Sequence, residues 1–362
     1  MSDRQERLAK DPDEHDAVER AAIAEYLVGR GVPIDEIKVT HSLGELGLLA
    51  WRRVYRVAGR PLSIEEAARR SGLDHDLVER LLRALGFPDP RVTTVAVTED
   101  DVETFRFLAD ATKLLGEKEV LHLARVIGLS MARMAEAVLG SIRINYELPA
   151  LRESSYTEFI QMAEAMADDL LPRLGRALDR LLRHHLLRVS EQSWDVTPEG
   201  SAMTLDLAVG FADMVGFTSR SGELSSSDLA QVIDRFEGSV TDTIAALGGR
   251  AVKFIGDEVM FAFGDLYAAC IYSLQLVDLA QDEAIPDIRV GLAHGEVISR
   301  YGDYYGPVVN IASRLVELAP SGAVFVSKDV AERVRDVFDL EEQPAKVVRG
   351  IDQPLEHYRL HG

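Results

Sequence analysis

The spacing of apolar positions along this 362-residue chain changes near residue 190. From residue 16 to about 189, apolar side chains recur every three or four residues nearly throughout, the spacing of helices that bury one face. A first helix over 17–27 is closed by Gly29 and Gly31, Pro33 opens another segment, and 43–57 form a further helix. Residues 62–87 read as a helix-turn-helix. Ser63 with Glu66 three residues on makes a capping box, Asp74 caps the second helix, and Gly72 sits in the turn. Helices over 99–115, 117–127 and 130–146 follow, with Gly116 and Gly128 as stops. A long helix over 155–189 carries one stripe: Phe159, Met162, Met166, Leu170, Leu174, Leu178, Leu181 and Val189. Such a stripe suits either a core or a dimer seam, and Pro172 is expected to kink or split the helix.

Residues 190–202, with Trp194, Pro198 and Gly200, read as a linker, and beyond them strands alternate with helices. The pattern predicts a strand over 205–212, a helix over 227–247, a hairpin over 251–263 and a helix over 265–282. A strand pair within 287–301, a helix over 310–318, a strand over 324–326 and a helix over 328–337 follow, and the remainder is extended. Two strand-helix-strand units in succession are the ferredoxin-like arrangement. The expected class is therefore α+β: an all-α domain over 1–189, a linker over 190–202 and a ferredoxin-like domain over 203–362.

Composition narrows the partners. Apolar residues at 47% and charged residues at 28% are ordinary for a soluble two-domain chain. Asp206 and Asp213 break the most hydrophobic strand, so no membrane span is expected. The start Met1-Ser2-Asp3-Arg4-Gln5-Glu6 lacks the apolar stretch of a signal peptide, which points to a cytoplasmic protein. The single cysteine, Cys270, lies on an apolar helix face and reads as a buried thiol. A net charge of −20 disfavours a nucleic-acid surface. The helix-turn-helix agrees, since its second helix opens with Asp74, His75 and Asp76; it is read as a structural helical pair, with no nucleic acid as partner. His184 and His185 end the long stripe and could sense acidity as groups that titrate near neutrality.

The chemistry collects in the second domain. Leu207-Ala208-Val209-Gly210-Phe211-Ala212 runs into Asp213, and Lys253-Phe254-Ile255-Gly256-Asp257-Glu258 turns sharply into a second apolar strand. Two strands that each deliver an aspartate to a turn suit a pair of hard cations, which prefer carboxylate oxygens. Asp303, Asn310 and Arg314 complete the set of unusual polar residues, with Asn310 and Arg314 four apart on one helix face.

Three segments together resemble the signatures of class III nucleotide cyclases: 211–218, 253–258 and 303–314. The resemblance covers about 203–360. The helical half is more loosely similar to regulatory domains of bacterial, notably mycobacterial, members. It implies an adenylyl cyclase that turns ATP into cyclic AMP and pyrophosphate with two divalent cations, Mg²⁺ or Mn²⁺, held by Asp213, Asp257 and the backbone carbonyl of Met214. Gly216 would let the N–H groups of Phe217 and Thr218 approach the triphosphate. Lys253 and Asp303 would read adenine, because a lysine only donates and an ionised aspartate only accepts. In the family the asparagine, here Asn310, orients the ribose and the arginine, here Arg314, neutralises phosphate charge; Arg349, or less well placed Lys346, would be a further phosphate ligand. The resemblance also implies a head-to-tail homodimer whose sites draw on both chains, and the helical half is expected to restrain it. Two other readings exist. A diguanylate cyclase shares the Gly-Asp-Glu turn, but Ile255 precedes it where a second glycine would stand. A DNA-binding regulator with a degenerate sensor conflicts with the full polar set.

Overall fold

In the computed structural model the described residues are 12–42, 45–55, 59–87, 97–147, 156–192, 203–217, 222, 224–279, 285–351 and 353–362. Most of the expected linker, and Thr218, lie outside them. The chain divides into two compact units, Met1–His184 and His185–Gly362, with the division inside the long helix.

The first unit is helical: α1 (Pro12–Gly29), α2 (Ile34–Ser42), α3 (Leu46–Val54), α4 (Ile64–Ser71), α5 (His75–Ala84), α6 (Asp101–Leu115) and α7 (Glu117–Ile142). Two short strands, β1 (Pro61–Leu62) and β2 (Val97–Thr98), pair antiparallel between them. The helix-turn-helix forms as its caps dictate. Glu66 N–H donates to Ser63 Oγ at 3.2 Å, Asp76 N–H donates to Asp74 Oδ1 at 2.9 Å, and Gly72 takes φ 75°. Leu27, Leu49 and Ala50 build one small core with Ile160; Val78, Leu81, Phe105, Leu108 and Val120 build another.

Neither Gly128 nor Pro172 ends its helix. Gly128 does not stop a helix but lies inside α7, because α7 and the end of α5 touch there: a Cβ at Gly128 would come within 2.5 Å of the Leu85 carbonyl. The long helix α8 (Tyr156–Gln192) runs through Pro172 as one 37-residue element. Pro172 and Asp168 are exposed, so water can take the carbonyl that the missing N–H leaves free. The stripe is covered only in part, with Leu174 and Leu178 half-buried beside Met131 and Val138. The residues α8 buries are Ile160, Ala163 and Ala167, whereas Met162, Leu170, Leu181 and Val189 are exposed. The side chains of Phe159 and Met166 lie outside the described residues. His184 and His185 are exposed near the end of α8.

The second unit is built on an eight-stranded sheet. Its elements are β3 (Met203–Met214), α9 (Ser226–Ala246), β4 (Arg250–Ile255), β5 (Glu258–Phe263), α10 (Leu266–Asp278) and β6 (Ile288–Arg300), then β7 (Asp303–Tyr305), α11 (Pro307–Leu318), β8 (Val324–Ser327), α12 (Lys328–Val334), β9 (Asp339–Lys346) and β10 (Leu355–His361). The strand pair expected over 287–301 is one strand, β6, which turns back only at Tyr301 and Gly302 into β7. Strand order is β4-β5-β3-β6-β8-β10-β9, so the first six elements make a ferredoxin-like βαββαβ core, extended through β8, which runs parallel to β6.

Alternation along the strands gives the sheet two faces. Ala208, Ala212, Phe261, Phe263 and Val290 meet α9, α10 and α12. Cys270 is buried in that layer, and burial pushes its thiol up to about 12. On the other face Val209, Phe211, Met260 and Ala293 meet α11. There Gly291 lets the helix backbone rest on β6, since a Cβ would lie 2.2 Å from Val316 N. Asp213 and Lys253, two of the polar residues singled out from the sequence, lie on this second face.

Candidate active site

The end of β3 is the centre of the first polar group. Pairing sets Asp213 opposite Glu258 of β5 on one side and Arg289 of β6 on the other. Arg289 donates to Asp213 Oδ2 from Nε at 2.7 Å and from Nη2 at 2.5 Å, and from Nη1 to the Glu317 carbonyl at 3.5 Å. Asp257 occupies the tight turn between β4 and β5, where Gly256 takes φ 66°. Its carbonyl accepts from Met214 N–H at 3.2 Å, which ties the two aspartate-bearing turns together. The charge balance is negative. Burial, then Asp213 and Asp257, push the Glu258 carboxyl up to about 7, with Glu317 adding to the effect and Arg289 opposing it. Met214 and Phe217 are 1% and 9% exposed and belong to the core. Only their backbone groups are available to a ligand.

A second group joins β4 to the β6–β7 turn. Lys253 Nζ donates to Asp303 Oδ2 at 2.5 Å, and Tyr304 N–H donates to Asp303 Oδ1 at 2.9 Å. Arg250 Nη2 donates to the Gly302 carbonyl at 2.9 Å, its guanidinium 5.8 Å from the Tyr304 ring centre. A bulge between Ala251 and Lys253 resets the alternation of β4, so that Lys253 pairs with Met260 on the α11 face.

Asn310 and Arg314 stand one turn apart on α11. Asn310 is exposed within the first turns of the helix, which Gly306 and Pro307 begin, and Arg314 Nη1 donates to Glu317 of the same helix. Arg349 is exposed in the turn between β9 and β10, and Lys346 is exposed at the end of β9. Leu360 of β10 faces Val324, which lies beside Val290, the neighbour of Arg289. The β9–β10 turn therefore stands at the opposite end of the sheet from Asp213. Thr218 lies outside the described residues.

Residues 5–189 match the family model described as adenylate cyclase regulatory domain, and residues 201–362 that of the adenylate and guanylate cyclase catalytic domain. An adenylate cyclase of Streptomyces coelicolor is 37% identical over 277 residues, which cover 75% of this chain and 72% of that protein. An adenylate cyclase of Streptomyces griseus is 33% identical over 298 residues, covering 82% and 74%. A pH-sensitive adenylate cyclase of Mycobacterium tuberculosis is 29% identical over 331 residues, covering 88% and 80%. The chain belongs to the class III adenylate cyclases.

The fold of the cyclase carries a general dependence on divalent cations, and the first polar group fits one. Asp213, Asp257 and Glu258 crowd negative charge against a single arginine. Among the described residues no three acidic, histidine or cysteine side chains make a closed metal cage. A Mg²⁺-type ion needs only one or two carboxylates, since water and substrate phosphates complete its shell. Glu258 and Arg289 were not among the candidates read from the sequence of the cyclase. Both come to Asp213 only through strand register. The local signal for Arg289 is a charge between the buried Ile288 and Val290, where alternation by itself does not say what it faces.

Among the described residues no helix is long and apolar enough to cross a membrane.

Proposed function

We propose that this cyclase converts ATP to 3′,5′-cyclic AMP and pyrophosphate at sites shared by two copies of the chain. The observation that carries the choice of base is the meeting of Lys253 and Asp303, fifty positions apart in sequence, at 2.5 Å. A donor-only group beside an acceptor-only group complements adenine, which offers an acceptor at N1 and donors at its amino group. Guanine has the reverse polarity at both places and would leave both side chains mispaired. This favours ATP over the guanylyl and diguanylate alternatives.

Asp213, Asp257 and the carbonyl of Met214 would hold two divalent cations, Mg²⁺ or Mn²⁺. When bound, these supply neutralisation of the phosphates and a more acidic ribose 3′-hydroxyl. The chain does the rest by placement. Asn310 orients the ribose, and Arg314 leaves Glu317 for the phosphates, where it offsets charge as it builds. The N–H groups of Phe217 and Thr218 and the side chain of Arg349 would serve the triphosphate. The 3′-oxygen bonds to the α-phosphorus, the bond from that phosphorus to the pyrophosphate oxygen breaks, and the hydroxyl proton passes to solvent.

The placement of Asp213 and Arg349 at opposite ends of one sheet supports a head-to-tail homodimer, in which the two ends of different chains meet. Mixing an Asp213→Ala chain with an Arg314→Ala chain, each inactive alone, is expected to restore one intact site in two; no recovery would refute the shared site. The helical half, 1–189, acts as a restraint on the catalytic half. Its removal should raise turnover, and equal rates with and without it would end that reading.

A further inference from the structure

Near its C-terminal end α8 carries a side chain that reaches the backbone at the root of β4. Arg188 belongs to the second unit. Its Nη2 donates to the Gly248 carbonyl at 3.1 Å and to the Gly249 carbonyl at 2.7 Å. These two glycines connect α9 to β4. Gly248 takes φ 76°, and the N–H groups of Gly248 and Gly249 turn back to the carbonyls of Ala245 and Ile244 at 3.3 and 3.0 Å. Those bonds close the end of α9, and the carbonyls that Arg188 reaches lie just beyond it. A guanidinium there gains charge-assisted hydrogen bonds and a favourable helix dipole together. From the inside the same turn has no slack, because a Cβ on Gly249 would meet the Phe263 ring at 2.3 Å.

β4 begins at the next residue. It is an edge strand with β5 as its neighbour in the sheet, and the Gly256-Asp257 turn sets that pairing from its far end. On its near side, before the bulge, β4 is tied to the β6–β7 turn by side chains: Arg250 to Gly302 and, past the bulge, Lys253 to Asp303. The bulge that brings Lys253 to the α11 face lies between those two anchors. A displacement of Gly248 and Gly249 would therefore pass along β4 into the bulge and the base-reading lysine.

We propose that Arg188 is a positioning residue for nucleotide selection: it clamps the root of β4 so that Lys253 meets Asp303. The end of α8 thereby becomes part of the apparatus that recognises the substrate. The inference rests on the reading of Lys253 and Asp303 as the adenine-recognising pair.

The test uses full-length wild type, R188A, R188K and R188Q. Steady-state turnover is measured with ATP and with GTP, and hydrogen exchange is followed across residues 246–255. R188A is expected to raise KM for ATP by about tenfold, about the lower end of what one hydrogen bond to a charged group contributes, since only part of the lost anchoring reaches Lys253, with kcat within about twofold. The preference for ATP over GTP should narrow, and exchange along β4 should quicken. R188K, which can still donate to both carbonyls, should recover most of the loss. If R188A does not fold, R188Q carries the same readouts. Wild-type KM and wild-type nucleotide preference in R188A would overturn the proposal, as would a fall in kcat alone. Wild type that fails to turn over ATP would instead overturn the reading of the base pair. Exchange along β4 still judges Arg188 in that event, and unchanged exchange in R188A counts against it.

Discussion

Glu258 should destabilise the folded protein at neutral pH, and the size of that cost can be worked out. Its carboxyl is partly buried beside Asp213 and Asp257, which lifts its pKa from the ordinary 4.5 to about 7. Below pH 4.5 the group is protonated both folded and unfolded, and it contributes nothing to the balance. Between 4.5 and 7 the folded state holds a proton that the unfolded chain has released, so stability falls as pH rises, and the loss is complete above 7. At about 1.36 kcal/mol per pH unit, an interval of about 2.5 units sets a ceiling of about 3.4 kcal/mol. The carboxyl retains contact with water, which screens its neighbours, and we expect about 1–2 kcal/mol. Glu258→Gln keeps the shape and removes the charge. Urea titrations should find the variant equal to wild type near pH 4.5 and more stable by that amount at pH 8. A divalent cation should shrink the gap at pH 8 by giving the carboxylates a partner. Equal stability of the two proteins at pH 8 without cation would refute the idea that burial and the neighbouring carboxylates penalise the Glu258 charge.

Two further expectations concern other parts of the chain. Gly128→Ala in α7 should gain about 1 kcal/mol of helix propensity. It should lose more, about 1–3 kcal/mol, because its Cβ meets the Leu85 backbone at 2.5 Å; a denaturant midpoint above wild type would contradict the close contact. Lys253→Met should lower kcat/KM for ATP by about ten- to a hundredfold and affect GTP far less. An equal loss with both nucleotides would mean that Lys253 does not read the base.

Much of the helical half could be read from local residues. Ser63, Gly72 and Asp74 form the helix-turn-helix because a cap needs only a side-chain oxygen and the N–H groups two or three residues on. The βαββαβ order of the second unit was legible for a similar reason. Alternation and turn residues act within a few positions, and the short Gly256-Asp257 turn fixes its own hairpin. Asp213, Asp257, Lys253, Asp303, Asn310 and Arg314 stood out as polar residues at the ends of apolar strands or on one face of a helix.

What the sequence left open was every question of distance between segments. Gly128 as a stop and Gly128 as a contact surface have the same local appearance, and only the approach of Leu85 separates them. Pro172 removes an N–H in either case, and whether the helix continues depends on whether the freed carbonyl finds solvent. Glu258 and Arg289 become neighbours of Asp213 through pairings that bring together strands far apart in the chain. A single-residue slip in either register would turn those side chains to the opposite face. Composition and periodicity thus set which segments form and which way they alternate. The packing of the sheet sets which charges share a site, because Coulomb interaction depends on separation in space and not along the chain.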